Sequence, residues 1–324
     1  MNGLILGKFY PFHKGHEFLI TEASSQVDKL TILVCSLKSE TISGEIRFQW
    51  VKRRFPKLNV IHVQDENPQY PQEHKDFWNI WLKTIYDHHP EKIDVLFTSE
   101  EYGNELSHHL NAKHICIDIE RKNFPISGAI VREDPISSWE FLPEVTKPYF
   151  LRRVVITGPE SVGKSTACKI LAHEFGTISV PEYGRTFLEN KNDELVYEDI
   201  LEIGMGHKAT EDTLSFYANK LLILDTDLII TKLYSKLYFQ KYPEWLDKEI
   251  QKRKYDLYLI FTDEVEWVSD SLRDFPENRK EFLNSVIEEI EKANGHYKLI
   301  SGNNYSERIR SAKAEIQNLF LANR

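Results

Sequence analysis

Short apolar runs alternate with longer amphipathic stretches along the whole chain. In the first half, buried strands are predicted at five continuous apolar runs, which cover 3–6, 30–35, 60–63, 95–98 and 114–117. Between these runs, apolar residues recur at the helical period and predict four helices, over about 14–25, 45–55, 77–86 and 101–110. Continuous apolar strands separated by helices indicate a parallel sheet that is covered on both faces.

The same alternation resumes after residue 150. Strands are predicted at five further apolar runs, over 154–157, 177–180, 221–225, 257–261 and 297–300, with a long helix at about 197–220 and an amphipathic helix ending near Leu321. The segment 141–149 contains two prolines and little periodicity, which is typical of a short, stiff connection. We therefore predict two α/β domains, each with a parallel sheet, over residues 1–148 and 149–324.

The composition of the chain limits the kinds of molecule that it can be expected to bind. The formal net charge of −9 argues against an extended nucleic-acid surface and leaves room for small anionic ligands. No apolar run approaches the length needed to span a membrane, and the first run is too short for a signal peptide. Cys35, Cys116 and Cys168 lie far apart in apolar runs, so we expect buried, reduced thiols in a cytoplasmic protein that has no disulfide or metal site at these cysteines.

A glycine-rich stretch follows the strand at 154–157. It reads G-P-E-S-V-G-K-S-T and fits G-x-x-x-x-G-K-[ST], the loop that holds nucleotide phosphates. Glycines allow backbone N–H groups to surround phosphate oxygens, while the lysine adds a point charge and the serine hydroxyl reaches magnesium. The predicted ATP ligands are therefore Gly158, Glu160, Ser161, Gly163, Lys164, Ser165 and Thr166, with Ser165 also a metal ligand. Such a loop follows the first strand of its domain, so the preceding 150 residues form another domain.

Carboxylates follow two of the later strands. Asp225 ends the apolar run 221–225, a position suited to ordering magnesium, and Asp227 is suited to substrate or metal. Glu182 follows the strand at 177–180 and is predicted to hold or deprotonate a sugar hydroxyl, the alternative being a solvated turn. The choice of general base among these three residues stays open.

Small kinases of this loop class close a lid whose arginines reach the transferred phosphoryl group. Arg273 is our first candidate for that arginine and Arg279 the second. Either arginine is alternatively a surface charge on a helix.

The first strand leads into G-K-F-Y-P-F-H-K-G-H, residues 7–16. A strand, a loop and two histidines at a helix start form an arrangement that suits nucleotide phosphates, the alternative being two surface histidines. The run resembles the G-x-F-x-P-x-H-x-G-H signature of the nucleotidyltransferase superfamily. That resemblance implies catalytic roles for His13 and His16 and ATP contacts from Gly7, Lys8, Phe9, Tyr10 and Gly15.

A second run, I-S-G-A-I-V-R at 126–132, resembles the I-S-x-T-x-x-R segment of the same superfamily. The resemblance implies that Ser127 and Arg132 hold the triphosphate, with Arg132 acting in catalysis. Ala129 stands where the superfamily has threonine and removes one hydroxyl contact. In the predicted helix at 45–55, Arg47 is a candidate ligand for a substrate phosphate.

Two tryptophans, Trp78 and Trp81, follow a Tyr-Pro pair in the first half. They resemble the segment that receives the nicotinamide nucleotide in one branch of the superfamily, where an indole stacks on a cationic ring. Two tryptophans three residues apart on a helix are alternatively part of a core.

Together these runs resemble, over essentially the whole chain, the NadR type of bifunctional enzyme. The resemblance implies an adenylyltransferase followed by a ribosylnicotinamide kinase, ATP and Mg²⁺ as cofactors, nicotinamide riboside and nicotinamide mononucleotide as substrates, and NAD as product. It also implies that Tyr183 and Arg185 bind substrate. Some members carry an added helix-turn-helix repressor domain, which we do not expect before a strand that starts near Gly3.

Two alternatives stay open on the sequence. One is a coenzyme A pathway fusion of an adenylyltransferase and a kinase. The other is a nucleotide-sensing regulator with little turnover, favoured by Ala129. A homo-oligomer is compatible with either reading, whereas no nucleic-acid or membrane partner is expected.

Overall fold

The computed structural model describes residues 1–267 and 278–321. The chain divides into two compact units, Met1–Phe150 and Leu151–Arg324. Each unit contains a parallel sheet with helices around it, which confirms the predicted α/β class. None of the helices within the described ranges combines the length and the apolar character that crossing a bilayer requires.

The first unit is built on a five-stranded sheet in the order β3-β2-β1-β4-β5. Its strands are β1 (Asn2–Gly7), β2 (Lys29–Cys35), β3 (Asn59–Val63), β4 (Val95–Thr98) and β5 (Lys113–Cys116). Its helices are α1 (Lys14–Ser24), α2 (Gly44–Arg54), α3 (Phe77–His88), α4 (Tyr102–Leu110), α5 (Gly128–Glu133) and α6 (Lys147–Phe150), with short 3₁₀ turns at Pro71–Glu73 and Trp139–Phe141. The strand order reverses at β1, so a crevice opens at its carboxyl end, where ligands of such sheets bind.

The second unit has a five-stranded sheet in the order β10-β9-β6-β8-β7. The strands are β6 (Arg152–Thr157), β7 (Ile178–Val180), β8 (Leu221–Asp225), β9 (Leu257–Phe261) and β10 (Tyr297–Ile300). The helices of its described part are α7 (Lys164–Glu174), α8 (Tyr183–Asn190), α9 (Asp199–Leu214), α10 (Leu228–Phe239), α11 (Glu244–Lys252), α12 (Arg279–Lys292) and α13 (Tyr305–Leu321). Here the order reverses at β6, the strand that precedes the glycine-rich loop.

The sheets form because their central strands are apolar on both faces. Leu4 and Ile5 of β1 are neighbours in sequence, point to opposite faces and are both buried, as are Val155 and Ile156 of β6. The long helix predicted at 197–220 ends earlier, at Leu214, and a turn leads into β8. The cysteines are free, and Cys35 and Cys168 are buried as predicted, but that prediction is wrong for Cys116, which is exposed at the end of edge strand β5.

Arg47 has a structural position rather than the predicted contact with a substrate phosphate. Its side chain is fully buried in α2. The guanidinium donates to the Lys8 carbonyl oxygen at 2.8 Å and to the Glu40 carboxylate at 2.5 Å. Burial raises the pKa of Glu40, but hydrogen bonds from the Leu37 N–H, Lys8 and Arg47 outweigh it and leave that pKa below its ordinary value. We therefore correct the assignment: Arg47 holds the loop after β1 in place through its hydrogen bond to the Lys8 carbonyl oxygen.

Replacing Arg47 should unfold the first unit more easily. Arg47→Ala leaves Glu40 and a loop carbonyl without their donor, and breaking a buried ion pair costs about 3 kcal/mol or more. We expect the melting temperature of this unit to fall by roughly 10 °C, measured by calorimetry, with faster hydrogen exchange in peptides from β1 and β2. The exposed Arg53→Ala on the same helix is the control, and an equal shift in both variants would contradict the assignment.

Candidate active sites

The first site lies where β1 meets α1. Phe9 and Phe12 are buried and fix the connecting loop to the core. His13 precedes the first turn of α1, and its backbone N–H donates to Nδ1 of His16 at 3.4 Å. The two imidazole rings stack with their centroids 3.8 Å apart. Gly15 permits this arrangement, because a Cβ there would stand 3.1 Å from the His13 ring.

Both histidines are held uncharged. Burial lowers the pKa of His13 to about 4, with a further contribution from the Arg121 charge. Burial, His13 and Arg121 together hold the pKa of His16 well below its usual range. Within the described residues, the buried Nδ1 of His13 has no hydrogen-bond partner. The pair therefore offers neutral ring nitrogens to an oxygen-rich ligand.

Arg132 lies against the same loop. It extends from α5, donates to the Tyr10 carbonyl oxygen and stacks over the Tyr10 ring at 4.2 Å. Helix α5 approaches so closely that a Cβ at Gly128 would come within 2.3 Å of that carbonyl oxygen. Ser127 begins α5 and its hydroxyl accepts from the Ile130 N–H at 3.3 Å. The structure thus brings together His13, His16 and Arg132 around one loop.

Other predicted residues of this unit have protein partners. Lys8 forms an ion pair with Glu40 at 3.0 Å. Trp78 and Trp81 are half-buried against the core on α3, which favours the packing alternative. Their indole N–H groups donate to the Glu105 carboxylate at 2.7 Å and to the Pro68 carbonyl oxygen at 2.9 Å, respectively.

Arg121 is a residue that sequence reasoning missed. It lies between β5 and α5, in a loop where it adopts a left-handed backbone with φ of 51°. The Asp118 carboxylate orders this loop by accepting from the backbone N–H groups of Lys122 and Asn123. No local pattern marks Arg121, because its proximity to the histidines depends on the fold.

The second site is the glycine-rich loop after β6. Gly158, Ser161 and Gly163 all have positive φ, at 132°, 63° and 88°. At Gly158, a Cβ would stand 2.3 Å from the Phe261 carbonyl oxygen. The loop therefore requires glycine at this position and turns tightly into α7, whose N-terminus carries the positive end of the helix dipole.

Two interactions hold the loop in this form. Lys164 Nζ donates to the Pro159 carbonyl oxygen at 2.8 Å, across the turn. Arg308 of α13 is fully buried and donates to the carbonyl oxygens of Val162 at 3.3 Å and Thr262 at 2.6 Å.

A cavity of about 180 Å³ opens beside this loop. Polar groups gather near the loop, namely Glu160, Ser161, Lys164, Ser165, Glu182 and Arg185. The remaining wall comes largely from α8, α9, α10 and the segment between α8 and α9. It combines the apolar side chains of Leu188, Leu195, Ile200, Ile203 and Ile230 with the polar side chains of His207, Thr226, Thr231, Tyr234 and Tyr238. The cavity therefore has a phosphate-binding part and a wall suited to a ring.

The carboxylates at this site are strongly perturbed. Burial raises the pKa of Glu182 to about 7, although the Lys164 charge opposes the shift. Burial also raises the pKa of Asp225, opposed by Lys164 and by a hydrogen bond from Ser165. Oδ1 of Asp225 has no hydrogen-bond partner in the part of the chain that the structure describes. Glu182 thus has the proton affinity of a general base near neutral pH.

Asp227 has a different environment from the one predicted. It is buried, begins α10 and accepts from the Ile229 N–H at 3.1 Å and from the Tyr258 hydroxyl at 2.9 Å. Both of its recorded partners are protein groups. We correct the assignment of Asp227 to substrate or metal, because its carboxylate is used as a helix cap.

The remaining predicted residues of this unit lie in different places. Arg185 lines the cavity and donates to Glu189 at 3.1 Å, whereas the Tyr183 ring packs against Gly206 of α9. Arg279 donates to the Val265 carbonyl oxygen at 2.9 Å and lines a neighbouring cavity with Glu160. Arg273 lies outside the described residues.

Two family models and several known proteins are similar to this chain. A model of the AAA domain matches residues 153–308, and a model of the citrate lyase ligase C-terminal domain matches residues 3–84. The trifunctional NAD biosynthesis/regulator protein NadR of Escherichia coli (strain K12) is 33% identical over 329 residues, covering 95% of this chain and 80% of that protein. The NadR protein of Salmonella typhimurium is 32% identical over 331 residues, with the same coverage.

Solved structures give the same fold. A NadR protein in complex with NR is 22% identical, with a TM-score of 0.80 over 98% of this chain and 95% of that chain. A NadR protein in complex with NAD and AMP-PNP is 20% identical, with a TM-score of 0.81 and the same coverage. At 20–22% identity, this likeness shows that the two units have the folds of these NadR structures and shows nothing further.

The buried Asp227 should make stability depend on pH. Burial raises its folded-state pKa from the ordinary value of 3.8 to about 7, so the folded chain holds one more proton than the unfolded chain between these values. Its stabilising contribution is complete below pH 3.8 and is lost as the pH rises to about 7. Asp227→Asn should reduce the fall in unfolding free energy by up to about 1.4 kcal/mol per pH unit in this window.

Urea unfolding at several pH values would measure this slope, and hydrogen exchange in β8 and β9 would assign it to the second unit. Glu182 and Asp225 remain in both proteins, so the difference isolates Asp227. A variant with the wild-type slope would contradict the inference.

Proposed function

The chain belongs to the NadR family, and we propose that it makes NAD from nicotinamide riboside by two successive phosphate transfers. The second unit transfers a phosphoryl group from ATP to the riboside and forms nicotinamide mononucleotide. The first unit joins that product to the adenylyl group of a second ATP and releases pyrophosphate. The observation that carries the proposal is that, in each of two separate units, the central strand runs into a loop and a helix start of the kind that suits phosphates.

The relatives support this choice of substrate. The curated relatives are named for NAD biosynthesis, and the solved NadR proteins hold NR, NAD and AMP-PNP. These names favour NAD salvage over the coenzyme A alternative. The three free cysteines support the proposed cytoplasmic location.

In the proposed kinase unit, the 5′-hydroxyl oxygen of the riboside attacks the γ-phosphorus of ATP. The bond from that phosphorus to the bridging oxygen breaks and ADP leaves, while the hydroxyl proton passes to Glu182. Lys164, the loop N–H groups and the α7 dipole stabilise the transferred charge. The pKa of Glu182, about 7, suits this exchange because the carboxylate can accept the proton near neutral pH and later release it.

The donor set beside the loop fits magnesium. Asp225 and the Ser165 hydroxyl are hydrogen-bonded to each other, and hard oxygen ligands of this kind are those that Mg²⁺ takes in nucleotide sites. The buried Oδ1 of Asp225 has no partner among the described residues and is free to act as a ligand, directly or through water. When bound there, the ion would neutralise charge on the phosphates of ATP.

In the proposed adenylyltransferase unit, a phosphate oxygen of the mononucleotide attacks the α-phosphorus of ATP, and the bond to pyrophosphate breaks. The attacking oxygen is already anionic, so no protein base is needed. His13 and His16 are positioned to donate hydrogen bonds to the phosphates, and Arg132 adds positive charge. Catalysis here consists of positioning and charge stabilisation.

The two transfers should be separable by mutation. His16→Ala should lower adenylyl transfer by about a hundredfold, the effect of removing one preorganised group, and leave riboside phosphorylation intact. Lys164→Ala should have the reverse effect. Purified protein would be incubated with ATP, magnesium and either nicotinamide riboside or the mononucleotide, and products followed by chromatography.

Each variant is the control for the other, because the unaffected reaction shows that the protein is folded. Loss of both reactions in either folded variant would overturn the assignment of one activity to each unit. Turnover of phosphopantetheine by the wild-type protein, without turnover of nicotinamide substrates, would restore the coenzyme A alternative.

The kinase reaction should gain rate as Glu182 ionises. With a pKa of about 7 for this carboxyl group, kcat/KM for riboside phosphorylation should rise through neutral pH in the wild-type protein. Glu182→Gln should be at least about a hundredfold slower and lack this rise, since general-base catalysis contributes roughly 100- to 10,000-fold. The pH profile of adenylyl transfer, measured in the same two proteins, is the internal control. A variant that keeps the wild-type kinase profile would exclude Glu182 as the base.

A further inference from the structure

His207 is a buried polar residue that the proposed chemistry does not use. It lies on α9, is only 2% exposed and lines the cavity beside the phosphate loop. Its Nε2 is buried and has no hydrogen-bond partner among the residues that the structure describes. Buried side-chain nitrogens almost always have a partner, so an unpaired one at a cavity wall indicates that a ligand or water supplies it.

The neighbours of His207 on α9 also line the cavity. Ile200 and Ile203 precede it on the same face of α9 and line the same cavity. The charge that acts on His207 is Arg253, whereas Lys164 and Arg185 act on Glu182 and Asp225. The imidazole is therefore part of the wall that α9 contributes to the cavity.

The protonation state of His207 restricts what it recognises. Burial lowers its pKa to about 4, and the Arg253 charge contributes, so the ring is neutral at physiological pH. A neutral imidazole has one N–H donor and one acceptor. It matches an uncharged polar group and does not repel a cationic ring beside it.

We propose that His207 Nε2 hydrogen-bonds the carboxamide of the nicotinamide ring and thereby selects the acceptor of the kinase reaction. This inference rests on the proposed kinase function. The 5′-hydroxyl of a bound riboside must face the phosphate loop, which directs its ring away from the loop and toward the helical walls of the cavity. The carboxamide is the uncharged polar group of that ring, and His207 is the polar side chain that the α9 wall presents to it.

A cycle of two proteins and two substrates tests the contact. Wild-type protein and His207→Leu would be assayed with ATP and either nicotinamide riboside or the riboside of unsubstituted pyridine, which lacks the carboxamide. With nicotinamide riboside, we expect KM to rise about tenfold or more in His207→Leu, because the carboxamide loses its partner, while kcat changes little. With pyridine riboside, KM should be similar in both proteins.

Two further variants separate recognition from packing. His207→Gln keeps a polar group and should recover part of the affinity for nicotinamide riboside. Ile200→Val alters the apolar wall and should shift KM for both ribosides by the same factor. Adenylyl transfer in every variant checks that the chain is folded and active.

Equal losses for both ribosides in His207→Leu, or no change in KM for nicotinamide riboside, would overturn the contact while leaving the kinase assignment intact. A wild-type protein that phosphorylates neither riboside would overturn the kinase function, and the His207 inference with it.

Discussion

Both units depend on a tight connection between the central strand of a parallel sheet and the helix that follows. Backbone N–H groups must face the same oxygen-rich ligand as the helix N-terminus, so the loop has to be both strained and fixed. In each unit a fully buried arginine donates a hydrogen bond to a carbonyl oxygen of that loop. Arg47 donates to the Lys8 carbonyl oxygen, and Arg308 donates to the Val162 carbonyl oxygen. The two arginines come from different parts of their units, so the likeness reflects a shared physical requirement. An arginine with several donors can satisfy carbonyls that neither sheet nor helix reaches.

The sequence indicates the strands and the two loops because those signals are local. A continuous apolar run marks a buried strand, and glycine at Gly158 is required by its backbone angle and by the close Phe261 carbonyl. Asp227 shows where such reasoning fails. Its spacing of two from Asp225 suggests a shared direction along a strand, but Thr226 adopts a φ of 68°, which ends the strand and turns Asp227 into a helix cap. The sequence suggests a substrate phosphate as the partner of Arg47, whereas the fold brings Glu40 to it.

The electrostatics of the two sites differ in the way that their proposed reactions require. In the kinase unit a hydroxyl must lose a proton, and burial gives Glu182 a pKa of about 7 beside the Lys164 charge. In the adenylyltransferase unit the nucleophile is already an anion, and burial instead keeps His13 and His16 uncharged. A neutral imidazole can donate a hydrogen bond to a phosphate but binds an anionic product less tightly than a fixed positive charge does. In the proposed reaction, Arg132 supplies the positive charge. Burial thus raises the proton affinity of a carboxylate in one site and lowers that of imidazoles in the other.

Phosphate recognition and ring recognition differ in how clearly they can be detected in the sequence. Phosphates are bound by backbone groups at a helix start, which demands particular residues at adjacent positions and so produces a motif. A ring is bound by side chains from separate elements, and here the cavity wall comes from α8, α9 and α10. Ile200, Ile203 and His207 share only helical spacing, which any core-facing helix shows. For this reason the type of reaction can be inferred from the sequence, whereas the choice of acceptor depends on side chains that only the folded unit brings together.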